Sequence, residues 1–307
     1  MARPRQLKHL TALALFSLLA GAANGEPLIV DSFESGDMSA TNDNGFSWAR
    51  NNRTSIVTSD AVVYNNGERN IAIPSGRDWG AKHEDHSLRF RYPAGQSLSE
   101  QRFDLGTAHE ELWMQYWVKV PINYYHGQKF PNNHKFLSIW MDGYSQNGEG
   151  ATVIWEFWGS SDGSSRLAVH YNEGAAGVSK GHQQHHAFVS PADQGRWMEI
   201  TIHLKASSNN DTRDGVIEMW HRWENEPASE RKQFHKITDA LLSKPSSGIQ
   251  GWKEGYFMGW ANGPYSQDTE WLIDHITISE ESLLDSTGLK VEASGNAPKP
   301  PVLTIAN

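Results

Sequence analysis

The chain has 307 residues, a formal net charge of −9, 13 tryptophans and no cysteine. That charge excludes a general nucleic-acid binder, because nucleic acid is held largely through lysine and arginine contacts to phosphate. Without cysteine there is neither a disulfide framework nor a thiolate metal site, so stability has to come from one large core, which a chain of this length can build.

In chain order, residues 1–25 read as a secretory signal. Arg3, Arg5 and Lys8 supply the positive start, and residues 10–22 are apolar but shorter than the roughly 20 needed to cross a bilayer. Ala22, Ala23 and Gly25 then offer a cleavage site. Cleavage removes those three cations and no acid, making the mature chain more negative by three. The expectation is a secreted or periplasmic monomer with no membrane span after processing. Such a surface repels an anionic polymer unless a local basic strip overrides the overall charge.

From residue 26 onward, short runs bounded by Gly, Asn, Asp, Ser and Pro dominate, the signature of strands. They fall at residues 28–33, 87–92, 100–105, 112–120, 134–141, 152–158, 166–171, 197–205, 215–223, 256–261 and 271–279. Residues 230–242, containing ITDALL, are the one helical candidate, and no repeat of solenoid period is present. The pattern predicts a single all-β domain over 26–292, a sandwich of two antiparallel sheets with few short helices. Residues 293–307, with Pro298, Pro300 and Pro301, read as a loose tail.

Alternation assigns the faces of these strands, since successive side chains point to opposite sides. Val153, Trp155 and Phe157 share one side, against Ile154, Glu156 and Trp158. Leu167, Val169 and Tyr171 oppose Arg166, Ala168 and His170. Ile217 and Met219 oppose Glu218, Trp220 and Arg222. Each strand has an apolar face and a face mixing charge with aromatic rings, and flat rings carrying an N–H donor suit sugar stacking. Trp140, Trp158 and Trp220 are the stacking candidates, with Arg166 and Glu218 as polar contacts. A polysaccharide is the expected partner.

The terminal segments IVDSFESGDMS, HSLRFRYPAG and WLIDHITIS resemble the ends of concanavalin A-like jelly rolls, a superfamily of lectins, laminarinase-type glucanases and polysaccharide lyases. The central order QRFDLGTAHEELWMQYWVKVP, NNHKFLSIWMDGY, TVIWEFWGSSDGSSRLAVHY and DGVIEMWHRW resembles the jelly-roll lyases of alginate, glucuronan and related uronic-acid polymers. The resemblance spans roughly residues 28–279 and implies a β-jelly roll. Its groove would be lined by an early Arg strand, a Lys-bearing strand and paired strands ending in His or Tyr.

Elimination from a uronate needs a group that neutralises the carboxylate, a base for the C5 proton and an acid for the leaving oxygen. Arg102 or Lys135 are candidates for the first, His134 or His170 for the second, Tyr144 or Tyr171 for the third. His134 and Lys135 are neighbours in one strand. Alternation puts His134 with Ser138 and Trp140 on the mixed face, whereas the resemblance favours Lys135. Two other readings stand beside the lyase. One is a glycoside hydrolase pairing Glu156 with Glu218, although the Glu-x-Asp-x-x-Glu and Glu-x-Asp-x-Glu patterns of laminarinase-type enzymes are absent. The other is a non-catalytic, lectin-like module.

No cofactor is required by any of these readings. Glu34, Asp37 and Asp274 are candidates for a structural Ca²⁺, since oxygen ligands in turns suit that ion. His182, His185 and His186 lack a carboxylate partner in sequence and read as a solvated loop rather than a zinc site.

Overall fold

The computed structural model describes residues 26–58, 64–65, 68–69, 80–127, 131–144, 149–173, 184–246 and 248–284. Residues 1–25, read as an export signal from sequence, and the expected tail at 293–307 lie outside the described residues. The strands are β1 (Ile29–Asp31), β2 (Ser47–Asn52), β3 (Thr54–Thr58), β4 (Tyr64–Asn65), β5 (Glu68–Arg69), β6 (His86–Tyr92), β7 (Leu98–His109), β8 (Glu111–Lys119) and β9 (Asn133–Trp140). They continue as β10 (Thr152–Gly159), β11 (Ser165–Tyr171), β12 (Gln184–Val189), β13 (Trp197–Lys205), β14 (Gly215–Trp223), β15 (Lys232–Ala240), β16 (Trp252–Trp260) and β17 (Thr269–Ser279). Helical structure among the described residues is confined to the 3₁₀ turns Pro191–Asp193 and Ala228–Glu230, and no helix is long and apolar enough to cross a membrane.

Two antiparallel sheets pack face to face, as the alternation predicts. One runs β15-β14-β13-β8-β17-β6-β3, with β1 on β17; the other runs β12-β11-β10-β9-β16-β7-β2. The first and last strands adjoin, Val30 opposite Thr277. β9 to β12 and β13 to β15 pair in sequence order, but β8 joins β13 and β17, and β16 joins β9 and β7, long-range pairings that mark a jelly roll rather than a simple meander. Between the sheets lie the inward residues of both: Val153, Trp155, Phe157, Leu167 and Val169 from one, Met114, Tyr116, Ile200, Ile217 and Met219 from the other. Every one of these is at most 1% exposed. Burial of this continuous apolar layer is the dominant favourable term in the fold.

Residues 230–242 form no helix. β15 alternates instead, with His235, Ile237 and Ala240 buried and Lys232, Lys236 and Thr238 exposed, and it pairs with β14. Tertiary pairing overrides the helical propensity of ITDALL. His185 and His186 likewise sit on β12, an edge strand, and not in a loop; His182 lies outside the described residues.

Candidate functional site

The outer face of the seven-stranded sheet is built from rows of directly opposed residues, which point to the same side. One row runs His185, Ala168, Glu156, Lys135 across β12, β11, β10 and β9. The next runs His170, Ile154, Ser138, Tyr256, Arg102 from β11 to β7. On the far side of the first, Arg166 opposes Trp158, which opposes Asn133. Small residues at Ala168 and Ser138 lower the floor between the longer side chains.

Lys135 reaches this face because of a bulge. In β10, Trp155 and Glu156 are consecutive, but their partners in β9 are Leu137 and Lys135. Phe136 is the extra residue, and both Phe136 and Leu137 are buried in the core. Two consecutive inward residues put Lys135 on the same side as Ser138 and Trp140, which strict alternation denies it. The bulge also reverses the expectation for His134. It opposes Phe157, is 3% exposed, and stacks on His126 at 4.0 Å and edge-on to Tyr265 at 4.7 Å. Burial pushes its ring down to about 4, so it is neutral and turned away from the groove.

Glu156 is the centre of charge. Lys135 Nζ forms an ion pair with its Oε1, Asn133 Nδ2 donates to the same oxygen at 3.3 Å, and His170 Nε2 lies 3.5 Å from Oε2. Burial alone would raise this carboxyl; His170 and the Lys135 charge outweigh it and hold the group at about 2. Glu156 is therefore an ionised anchor for Lys135 and the nearby His170 ring. Gly259 makes room for them: a Cβ there would stand 3.0 Å from Lys135 Cβ and 3.1 Å from the Tyr256 ring, at a backbone φ of +136°.

Along the row, Arg102 Nε donates to Glu100 at 2.7 Å and its guanidinium lies 5.6 Å from the Trp140 ring centre. Asp104, two residues further along β7, holds Lys253. Tyr256 is buried and donates its hydroxyl proton to Tyr144 Oη at 3.0 Å. Tyr171, the alternative acid, faces the core; burial and the neighbouring Glu173 push it up to about 12. Trp158 is half-buried beside His185, at 5.8 Å edge-on. Trp140, at 1% exposed, offers no open face; its Nε1 donates to Glu254 and its ring underlies Tyr144 and Tyr256. It is floor, not platform.

No family model matches the chain, and no curated protein sequence does. Among solved structures, the endo-β-1,4-glucuronan lyase of the fungus Trichoderma reesei superposes with a TM-score of 0.50 at 9% identity, covering 83% of this chain and 95% of that one. The chain has the jelly-roll fold of polysaccharide lyases. An alginate lyase in complex with alginate tetrasaccharide gives 0.47 at 13% identity over 64% of this chain and 82% of its own. A GH43 glycoside hydrolase gives 0.49 at 11% identity over 84% of this chain but only 42% of its own.

Within this jelly roll, two predicted contacts belong elsewhere. Glu218 and Trp220 lie on β14, in the other sheet, opposite in direction to the buried Ile217 and Met219. Glu218 bonds His203 at 3.0 Å, and Trp220 stacks on Trp113 at 5.9 Å. The outer faces of a sandwich point away from each other, so Glu156 and Glu218 cannot flank one glycosidic bond, and the hydrolase pair is excluded. The three acids considered for calcium do not converge either. Glu34 accepts the backbone N–H groups of Asp85 and His86, and Asp274 those of Lys82 and His83. Asp37 is exposed and bonds within its own turn. Among the described residues, the metal-type donors that do converge are Glu34, His83 and Glu84, within 4.8 Å.

Sequence reading put His185 in a solvated loop and passed over Tyr256, Asn133 and Trp260. The first two were hidden by a strand read as a loop and by a tyrosine whose partner strand sequence does not reveal. Trp260 is 51% exposed opposite Leu98 at the end of β16; alternating aromatic residues in YFMGW were the available signal.

Proposed function

We propose that the protein is a polysaccharide lyase that cleaves uronic-acid-containing glycans by β-elimination on the outer face of the seven-stranded sheet. The observation that carries the reading is the composition of its three central rows. They present the cations Arg102, Lys135 and Arg166 beside His170 and His185, against the carboxylates of Glu156 and of Glu100, which pairs with Arg102, in a chain of net charge −9. A cationic strip inside an acidic protein suits a polyanionic chain, since a lined cleft focuses the local field against the overall charge.

In this scheme Arg102 and Lys135 face the uronate carboxylate and stabilise the charge that develops when the C5 proton leaves. His170 takes that proton. With its Nε2–H turned to Glu156, Nδ1 carries the lone pair, and Glu156 fixes the tautomer. The C4–O bond then breaks, a C4=C5 double bond forms, and Tyr144 protonates the departing oxygen. The proton donated by Tyr256 leaves Tyr144 free to give up its own and stabilises the phenolate left behind. Glu156, at about 2, is too weak a base to take the proton itself; it is a positioning residue.

The test is an ultraviolet assay on alginate, glucuronan, a heparin-like polymer and a neutral glucan. Elimination creates a conjugated double bond, so absorbance rises on a uronate polymer and not on the neutral glucan. New reducing ends without absorbance would mean hydrolysis, and retention on a glycan column with neither signal would mean a lectin.

A further inference from the structure

The large hydrophobic side chains that stand exposed among the described residues are Tyr125, at 55%, and Trp260, at 51%. Tyr125 lines a cavity of about 590 Å³ together with His126, His134, Asn262 and Tyr265, and Trp260 stands two residues before Asn262 in that wall. The Tyr125 ring rests on Gly163, where a Cβ would come within 2.4 Å of it. One ring face is thus seated on backbone while the rest of the side chain stays open beside the cavity. A single exposed aromatic is ordinary; one seated flat at the mouth of a cavity within the usual ligand-pocket range of about 300–1,000 Å³ is a built platform.

The described cavity wall is built from histidine, tyrosine, asparagine, serine, glycine and proline. His134 Nε2 donates to the Gly263 carbonyl at 2.5 Å, and His126, stacked on it, bonds Ser165 Oγ at 2.7 Å. Burial holds both rings in the neutral form, His126 at about 3 and His134 at about 4. Among the described residues, none that lines it is Asp, Glu, Lys or Arg. The wall is also joined to the groove: Asn262 Nδ2 donates to Asn133 Oδ1 at 2.8 Å, and Asn133 Nδ2 donates to Glu156 Oε1.

We propose that this cavity is a further sugar subsite, holding a pyranose unit of the same polymer beyond the cleaved bond by stacking on Tyr125 and by hydrogen bonds to Asn262. It rests on the reading of the outer face as a glycan groove. The described lining offers a ring face and hydrogen-bonding groups, which suit the ring face and hydroxyls of a sugar, so the cavity extends the grip on the chain.

The experiment compares wild type, Tyr125→Ala and Tyr125→Phe on a length series of oligomers of the uronate that wild type cleaves. Tyr125→Ala is expected to lower kcat/KM about tenfold on long oligomers, mainly through KM, and to leave the shortest cleaved oligomer unchanged, while Tyr125→Phe retains wild-type values. Loss that is equal at all lengths, or absent at all lengths, with unchanged thermal melting overturns the subsite and leaves the lyase reading intact. If wild type cleaves no polymer, affinity electrophoresis in gels holding the same glycans still decides. Weaker retardation of Tyr125→Ala than of wild type upholds the subsite although the lyase reading has failed; equal mobility removes it.

Discussion

Glu156 is 3% exposed, and an ionised carboxylate so deep is tolerated because Lys135 and His170 answer its charge. Glu156→Gln leaves Lys135 without its counter-charge and should cost about 3 kcal/mol in urea unfolding, as loss of one partner of a buried pair does. A cost near zero would mean the carboxylate is not buried against them. The pH dependence follows from the same side chains. Glu156 sits below its ordinary 4.5, so its stabilisation is complete above that value and is lost as pH falls toward 2. His126 and His134 stay neutral in the folded state while the unfolded chain takes up protons below 6.5, so stability is also lost as pH falls from 6.5 toward about 4 and 3. Asp274 works the other way. Burial raises it to about 7, so its contribution is lost as pH climbs from 3.8 through 7. Thermal melts between pH 6.5 and 4 should fall with a slope that flattens in His134→Gln; an unchanged slope would contradict the burial of a neutral His134.

At the scale of the strand, β9 and β16 decide what the groove contains. The bulge at Phe136 turns Lys135 outward, and Gly259, at φ +136°, leaves the space its side chain occupies. Gly259→Val should cost roughly 1–3 kcal/mol from backbone strain alone and should also depress activity by displacing Lys135. Full activity with only a lowered melting temperature would show that Lys135 is not held there. The same two strands mark the limit of what sequence reveals. Strong alternation, as in residues 152–158 and 197–205, is a local property, and those strands stand where the pattern put them. Polar β2 and the histidine-bearing β12 lack an apolar face to read. The bulge is invisible because HKFLSIW alternates acceptably in either phase. Glu218 was misassigned for another reason: its strand and its outward direction were legible, but the sheet to which β14 belongs depends on pairing with β13 and β15.

Across the whole molecule, the two sheets have different outer surfaces. On the eight-stranded sheet, Trp113 is 7% exposed, stacked on His203 at 4.0 Å and beside Trp220, with His203 held between Glu111 and Glu218. Trp113 and His203 are buried in this stack, and Trp220 covers Trp113 while itself only half-buried. On the seven-stranded sheet the cationic rows lie beside exposed Trp260. Binding of an anionic glycan to that face should weaken steeply with added salt, because exposed charges are screened beyond about 10 Å at 0.1 M ionic strength; salt-independent retention on a glycan column would argue for neutral recognition. The claim that chemistry occurs on this face is tested most directly by following ultraviolet absorbance of a uronate polymer with wild type, His170→Ala and Trp220→Ala. The account predicts that His170→Ala loses activity by about 10²–10⁴-fold at unchanged melting temperature, while Trp220→Ala matches wild type. Full activity in His170→Ala together with loss in Trp220→Ala would place the site on the opposite sheet and contradict it.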